Sequence, residues 1–243
     1  MVESILLSAT PIATFAGIQP LTQASGFFFE RDGRLFLVTS RHVVIDEPSH
    51  HAPDRLEIEL HTDSGNIAAT VGFSIPLYRN GTATWRQGMD SAGGIDVAVV
   101  EIDRPALPEN AVFRCFGPQQ LLAACDVVEV GTPVLILGFP LGFRDGLHHI
   151  PVARHAVIAS SFGLRFQGQG HFLTDGRTHR GSSGSPVIMR SGQSDGTHRD
   201  LPWKLLGVHS ARLDMGGREL GEDEALGLNC TWYADILMTL TQA

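Results

Sequence analysis

The apolar positions of this chain fall in short runs separated by turn residues, and most runs read as strands. Gly26-Phe27-Phe28-Phe29 and Leu35-Phe36-Leu37-Val38-Thr39 flank Arg31-Asp32-Gly33-Arg34. Two apolar runs around an Asp-Gly pair predict a β-hairpin. Leu56-Glu57-Ile58-Glu59-Leu60-His61 alternates apolar and polar with period two, the mark of a half-buried strand. Val97 to Ile102 is nearly continuous and β-branched, which suits a strand buried on both faces. Val134 to Leu137, Val152 to Ile158, Gly170 to Thr174, Pro186 to Met189 and Leu205 to His209 continue the series. Helical spacing shows mainly at the end, where Ile236, Leu237 and Leu240 share one face of the stretch from Tyr233 to Leu240. Many short strands with turns between them predict a sandwich or barrel rather than alternating β and α units.

The chain has 243 residues, enough for one large domain or two small halves sharing an interface. Hydrophobic residues make up 43% and charged ones 18%, which provides for a core and excludes a disordered chain. Its 27 glycines and 13 prolines fit a turn-rich fold better than a helical bundle. Between Arg104 and Asp126, Pro105, Pro108, Asn110, Gly117 and Pro118 mark a connection. The two halves are expected at residues 1–112 and 113–243. A net charge of −8 repels polyanions, so nucleic acid is not expected as a partner. No apolar run reaches the ~18 residues of a membrane helix. The apolar patch near Met1 has no Lys or Arg before it, so neither a membrane segment nor a signal peptide is expected, and the location is read as cytoplasmic. Cys115, Cys125 and Cys230 are odd in number and lack CxxC spacing, which fits reduced thiols. His50-His51 and His148-His149 lack metal-ligand spacing, and no metal or cofactor is expected.

Three segments carry chemistry. Arg180-Gly181-Ser182-Ser183-Gly184-Ser185-Pro186 is a tight turn whose glycines free the backbone to approach a ligand. Turns of this kind can aim N–H groups at one point, as an oxyanion hole requires. His42 follows the apolar run that ends at Thr39. Asp96 heads the run Val97-Ala98-Val99-Val100. Each alone is commonly structural, but the order His, Asp, Ser along one chain is that of a nucleophilic triad.

These segments resemble the chymotrypsin-like double-barrel serine peptidases, in their bacterial HtrA-type and glutamyl endopeptidase branches. TSRHVV (39–44) resembles their histidine motif, GGIDVAVVEID (93–103) their aspartate strand and VLILGFPLG (134–142) the strand opening the second barrel. GSSGSPV (181–187) resembles their nucleophile motif, and FLTDGRTHRGSSGSP (172–186) keeps the HtrA-like Thr-Asp pair before it. The resemblance implies an all-β fold of two six-stranded antiparallel barrels with a short C-terminal helix. It implies a serine endopeptidase acting on protein or peptide substrates; an intracellular regulatory or defence-type role, with room for a regulatory protein partner, is the accompanying expectation. The motif frame makes Ser183 the nucleophile over Ser182 and Ser185, His42 the general base, and Asp96 its orienter over Asp90 and Asp103. Gly181 and Ser183 would supply the oxyanion-hole N–H groups. Ser182 stands where the zymogen-activated branch has an aspartate, so that switch is not expected to operate.

The same resemblance places the substrate pocket at Arg177 and Thr178 and at the strand bearing His209, Ser210, Ala211 and Arg212. Thr178 and His209 match the pair with which glutamyl endopeptidases hold an acidic side chain, implying cleavage after Glu or Asp. The acidic, glycine-rich stretch Gly216 to Glu224 is expected to be solvated, with gating of the cleft as its functional alternative. The competing reading of another class is an inactive scaffold that keeps the barrels to bind a partner peptide.

Overall fold

A computed structural model of the chain describes residues 2–123, 126–191, 201–213 and 227–242. Cys125 and the stretch from Gly216 to Glu224 lie outside the described residues, as does the side chain of Arg212. The first half contains β1 (Ala9–Ala16), β2 (Gln19–Arg31), β3 (Arg34–Thr39), β4 (Arg55–His61), β5 (Thr70–Pro76), the small pair β6 (Tyr78–Arg79) and β7 (Thr82–Ala83), β8 (Trp85–Asp90) and β9 (Gly93–Ile102). A one-turn helix α1 (Arg41–Val44) follows β3. The second half contains β10 (Pro133–Gly138), β11 (Val152–Ile158), β12 (His171–Asp175), β13 (Pro186–Arg190), β14 (Trp203–Arg212), β15 (Leu228–Tyr233) and helix α2 (Ile236–Leu240).

The second half closes as a six-stranded barrel in the order β10-β11-β12-β15-β14-β13. The first half is a seven-stranded antiparallel sheet in the order β5-β4-β1-β2-β3-β9-β8. The all-β class stands. The first sheet has one strand more than the expected six, and its strand order has two ends where a closed barrel has none. The expected boundary after residue 112 falls in a connection that still bonds to the first sheet, through Phe116 N–H to Phe28 O and Glu30 N–H to Phe116 O.

The continuous apolar runs have a physical cause. Phe28, Leu35, Leu37, Leu56, Ile58, Ala98 and Val100 fill the interior of the first sheet. Their strand neighbours Phe27, Phe29, Phe36, Val38, Val97 and Val99 face the other way, into a core shared with Leu137, Phe139, Ile188, Leu205, Val208, Trp232 and Leu237. Val134, Ile136, Ile158, Phe172, Val187 and Leu206 fill the second barrel. Strands β2, β3 and β9 are therefore buried on both faces, and alternation disappears from their sequence. Each buried Phe contributes about 1.5–3 kcal/mol relative to exposure. This shared core fixes the two sheets against each other along the seam where the candidate site lies.

Candidate active site

His42 sits in α1, at the point where β3 leaves the sheet. Strand β9 pairs with β3, Thr39 opposite Ala98, so Asp96 arrives beside that turn. The His42 ring donates from Nδ1 to Asp96 Oδ2 at 2.7 Å, and the His42 backbone N–H donates to Asp96 Oδ1 at 2.9 Å. Both carboxylate oxygens are thus held by one residue. Asp90 instead pairs with Arg165 at 2.7 Å, and Asp103 is exposed.

Ser183 lies in the turn between β12 and β13. Of the three neighbouring serines it is the accessible one: Ser182 is 3% exposed and Ser185 0%, while Ser183 is half-buried. Its hydroxyl donates to the Ser210 carbonyl at 2.9 Å. The turn needs its glycines. Gly184 has φ +84°, and a Cβ there would lie 2.1 Å from Ser25 O and 2.3 Å from Thr39 Oγ1. Gly181 has φ +89°, and its Cβ would lie 2.7 Å from Phe139 O. The backbone N–H groups of Gly181 and Ser183 have no acceptor among the described residues. The Arg180 carbonyl accepts the Leu141 N–H at 2.6 Å. In a trans peptide the C=O and following N–H point oppositely, so the Gly181 N–H is turned away from Leu141.

Ser25 on β2 ties this turn to the first sheet. Its N–H donates to Ser183 O at 2.9 Å, and its hydroxyl donates to Gly181 O at 2.7 Å and accepts the Phe139 N–H at 3.0 Å. A serine inside an aromatic strand carries no local signal for contacts 156 residues away. A cleft of about 840 Å³ runs past His42, Gly181, Ser183, Arg180, Leu141, Leu21 and His50.

The electrostatics follow the contacts. Burial works against the charged His42 ring, but the hydrogen bond and charge of Asp96, with Asp46 behind it, outweigh burial and hold its pKa above the usual 6.5. Burial would raise the Asp96 carboxyl, yet the His42 ring, the Ser210 hydroxyl and the His42 N–H bring it below the usual carboxylate value. The Ser210 hydroxyl donates to Asp96 Oδ2. Ser210, expected in the substrate pocket, thus faces the charged pair with its side chain and Ser183 with its carbonyl.

The remaining pocket residues are placed unevenly. Thr178 is buried and His209 is 2% exposed, whereas Arg177 and Ala211 are exposed. The Thr178 hydroxyl donates to Asn229 Oδ1. Asn229 Nδ2 donates to the carbonyls of Thr174, Gly176 and Gly227, which fixes its amide orientation. The Thr178 proton is therefore committed within the protein, contrary to its expected role as a substrate donor. His209 has no hydrogen-bond partner at Nδ1 among the described residues, and burial, with the nearby His42 charge, lowers its pKa to about 4. Among the described residues, no group of three or more His, Cys, Asp or Glu is placed to hold a metal ion. No helix among them is long and apolar enough to cross a membrane.

No curated protein sequence matches the chain. Among solved structures, it is similar to a serine endoprotease from Yersinia pestis at 15% identity and TM-score 0.54, over 96% of this chain and 61% of that one. It is also similar to an M. tuberculosis H37Rv protein solved as an inactive serine-to-alanine mutant, at 15% identity and TM-score 0.48, over 97% of this chain and 85% of that one. The chain thus spans about three fifths of the Yersinia protein, and at this identity the likeness concerns the fold. The family model described as a trypsin-like peptidase domain matches residues 24–194, a span that contains the His42–Asp96 pair, the Ser183 turn and the strands that position them. The chain belongs to the trypsin-like, chymotrypsin-fold serine peptidase family.

Proposed function

We propose that the chain is a serine endopeptidase whose residues 1–112 supply His42 and Asp96 and whose residues 113–243 supply Ser183. The observation that carries this reading is the coplacement of an accessible Ser183, two unengaged backbone N–H groups and an Asp96-held imidazole on one cleft. Because Nδ1 of His42 donates to Asp96, the neutral ring keeps Nε2 as its acceptor. Rotation of Ser183 about χ1 exchanges the Ser210 carbonyl for that nitrogen, a fast side-chain motion. His42 then takes the hydroxyl proton as Oγ attacks the scissile carbonyl, and returns it to the leaving amine. Water repeats the sequence on the acyl-enzyme. The Gly181 and Ser183 N–H groups would hold the developing oxyanion, each worth about 3 kcal/mol of transition-state stabilisation.

The proposed substrate class rests on His209. A buried, neutral imidazole can hydrogen-bond a carboxylate that enters the pocket, and the bound anion would raise its pKa toward protonation. This supports Glu, with Asp next, before the scissile bond. The commitment of Thr178 to Asn229 leaves His209 as the principal donor. Free thiols at Cys115 and Cys230 support action in a reducing compartment.

A serine-directed fluorophosphonate tests the nucleophile. The wild-type chain should be labelled, Ser183→Ala should not, and Ser182→Ala and Ser185→Ala should remain labelled. An unlabelled wild type in both lysate and purified form would support the scaffold reading instead.

A further inference from the structure

The segment between β10 and β11 carries Leu141, whose N–H holds the Arg180 carbonyl. Its own grip on the rest of the protein is unusual. Phe139 and Pro140 anchor its start in the core, but Leu141, Phe143 and Leu147 are 68%, 67% and 65% exposed, so apolar packing does not hold the stretch from Leu141 to Leu147. A cavity of about 300 Å³, lined by Gln23, Glu57, Glu59, Phe139, Gly142 and Arg144, lies where it meets the first sheet. Across that boundary one carboxylate reaches two points of the segment. Glu59 Oε1 accepts Arg144 NH1 at 2.7 Å, and Glu59 Oε2 accepts the His149 ring nitrogen Nδ1 at 2.7 Å. All three side chains are about 70% removed from solvent, with relative exposures of 30%, 28% and 27%.

Within the segment the chain is braced on itself. The Asp145 carboxylate accepts the N–H groups of Leu147 and His148, both at 2.8 Å, and the His149 N–H donates to Asp145 O at 2.9 Å. Toward Leu141, the Phe143 N–H donates to Pro140 O at 2.8 Å and the Gly142 N–H to Phe139 O at 2.9 Å. Leu141 itself has φ +55°, a left-handed conformation that costs a non-glycine residue free energy and persists only where its surroundings impose it.

We propose that Glu59 is a positioning residue for the oxyanion-hole peptide. Resting on the peptidase reading above, the proposal runs through three contacts. Glu59 on β4 grips Arg144 and His149, the braced segment keeps Leu141 in its strained conformation, and the Leu141 N–H holds the Arg180 carbonyl. The Gly181 N–H of that same peptide is thereby kept available on the cleft side. A charge on the first sheet thus sets a donor in the second barrel, some 120 residues later in the chain. Without the grip, the Leu141 strain favours release, and the Arg180–Gly181 peptide becomes free to rotate.

The test uses the full chain with Glu59→Gln, and with Glu57→Gln as control, because Glu57 pairs with Arg55 on its own strand. Hydrogen exchange should be faster at the Leu141 N–H in Glu59→Gln and unchanged in the control. Turnover of a chromogenic peptide ester should show kcat reduced about tenfold with KM within twofold, since an oxyanion donor acts in the transition state and not in ground-state binding. Arg144→Gln should reproduce the same split in part. Unchanged exchange at Leu141 overturns the proposal whatever the activity. Faster exchange with unchanged kcat overturns the link to the oxyanion hole, as does a loss confined to thermal stability. A wild-type chain inert to fluorophosphonate overturns the peptidase reading and the catalytic half of this proposal, while the exchange measurement judges the contact chain by itself.

Discussion

Two histidines lie on either side of the Ser183 turn, and their surroundings give the same side chain opposite properties. His42 is partly open to the cleft and its ring is bound to a carboxylate, so its charged form is favoured despite burial. His209 is buried in the second half, no carboxylate among the described residues is in contact with it, and burial lowers its pKa to about 4. The first arrangement suits a group that must accept and return a proton. The second suits a neutral donor that gains charge only when an anion enters. The protein builds the difference from a single placement, in which Asp96 is delivered by β9 to one ring and withheld from the other. Ser210, next to His209 in the chain, donates to Asp96 and so belongs to the His42 side of the division.

The comparison is broken most forcefully at the reacting side. Ser183→Ala and His42→Ala should each lower peptide turnover on the order of 10⁶-fold, and the double variant should be little worse than either. Steady-state hydrolysis measures this directly. Additive losses would mean that the two residues do not act as one unit.

Asp96→Asn comes next. Turnover should fall about 10⁴-fold, because the imidazole loses the tautomer and orientation that the carboxylate imposes. The pH profile carries the sharper information. His42 must be neutral to act as base, so its raised pKa places the acid limb of kcat/KM above 6.5. In Asp96→Asn burial is left without its counterweight, and the limb should move to lower pH. A limb that stays in place would assign it to another group.

The His209 side is tested through stability. A folded pKa of about 4 against an ordinary 6.5 means that the unfolded chain takes up a proton where the folded chain refuses it. The contribution of the neutral ring is complete above pH 6.5 and is lost as pH falls toward 4. Denaturant unfolding at pH 7 and 4.5 should show wild type losing more stability than His209→Gln, by on the order of 3 kcal/mol. Equal losses would place the ring in contact with water, and the contrast with His42 would weaken.

How far this division was legible in the sequence depends on the distance over which each signal acts. His42, Asp96 and Ser183 carry local signals, the first two beside an apolar run and the third in a turn of glycines and serines. The two-faced strands were readable for the same reason, as continuous runs from Phe27 to Phe29 and Val97 to Ile102. Strands β1, β5, β8 and β15 were not, because residues such as Pro11, Gly72, Gly88 and Asn229 interrupt the alternation. Ser25, Asn229 and Glu59 were equally invisible. Each acts through partners in other elements, and only the folded register brings those partners close. Thr178 shows the converse. Its position in the motif was legible, but the direction of its hydroxyl was decided by Asn229, whose amide is fixed by three carbonyls.

The smallest expected effect bears on what His209 is for. Burying a substrate carboxylate without a partner costs several kcal/mol, so a pocket that accepts Glu must supply a donor or charge. With the Thr178 proton committed to Asn229, that requirement falls on His209. His209→Ala should therefore reduce kcat/KM for a peptide with Glu before the scissile bond by about tenfold, or 1.4 kcal/mol, and leave a matched Ala peptide within twofold. Thr178→Val should cost less, because its loss is felt through Asn229 and the shape of the wall rather than through the substrate. Wild-type selectivity for Glu should also strengthen as pH falls through 6, since the bound carboxylate draws the imidazole toward its charged form. A peptide library that instead yields Val or Ala before the cut would return His209 to a packing role, and the contrast between the two histidines would then reflect burial alone.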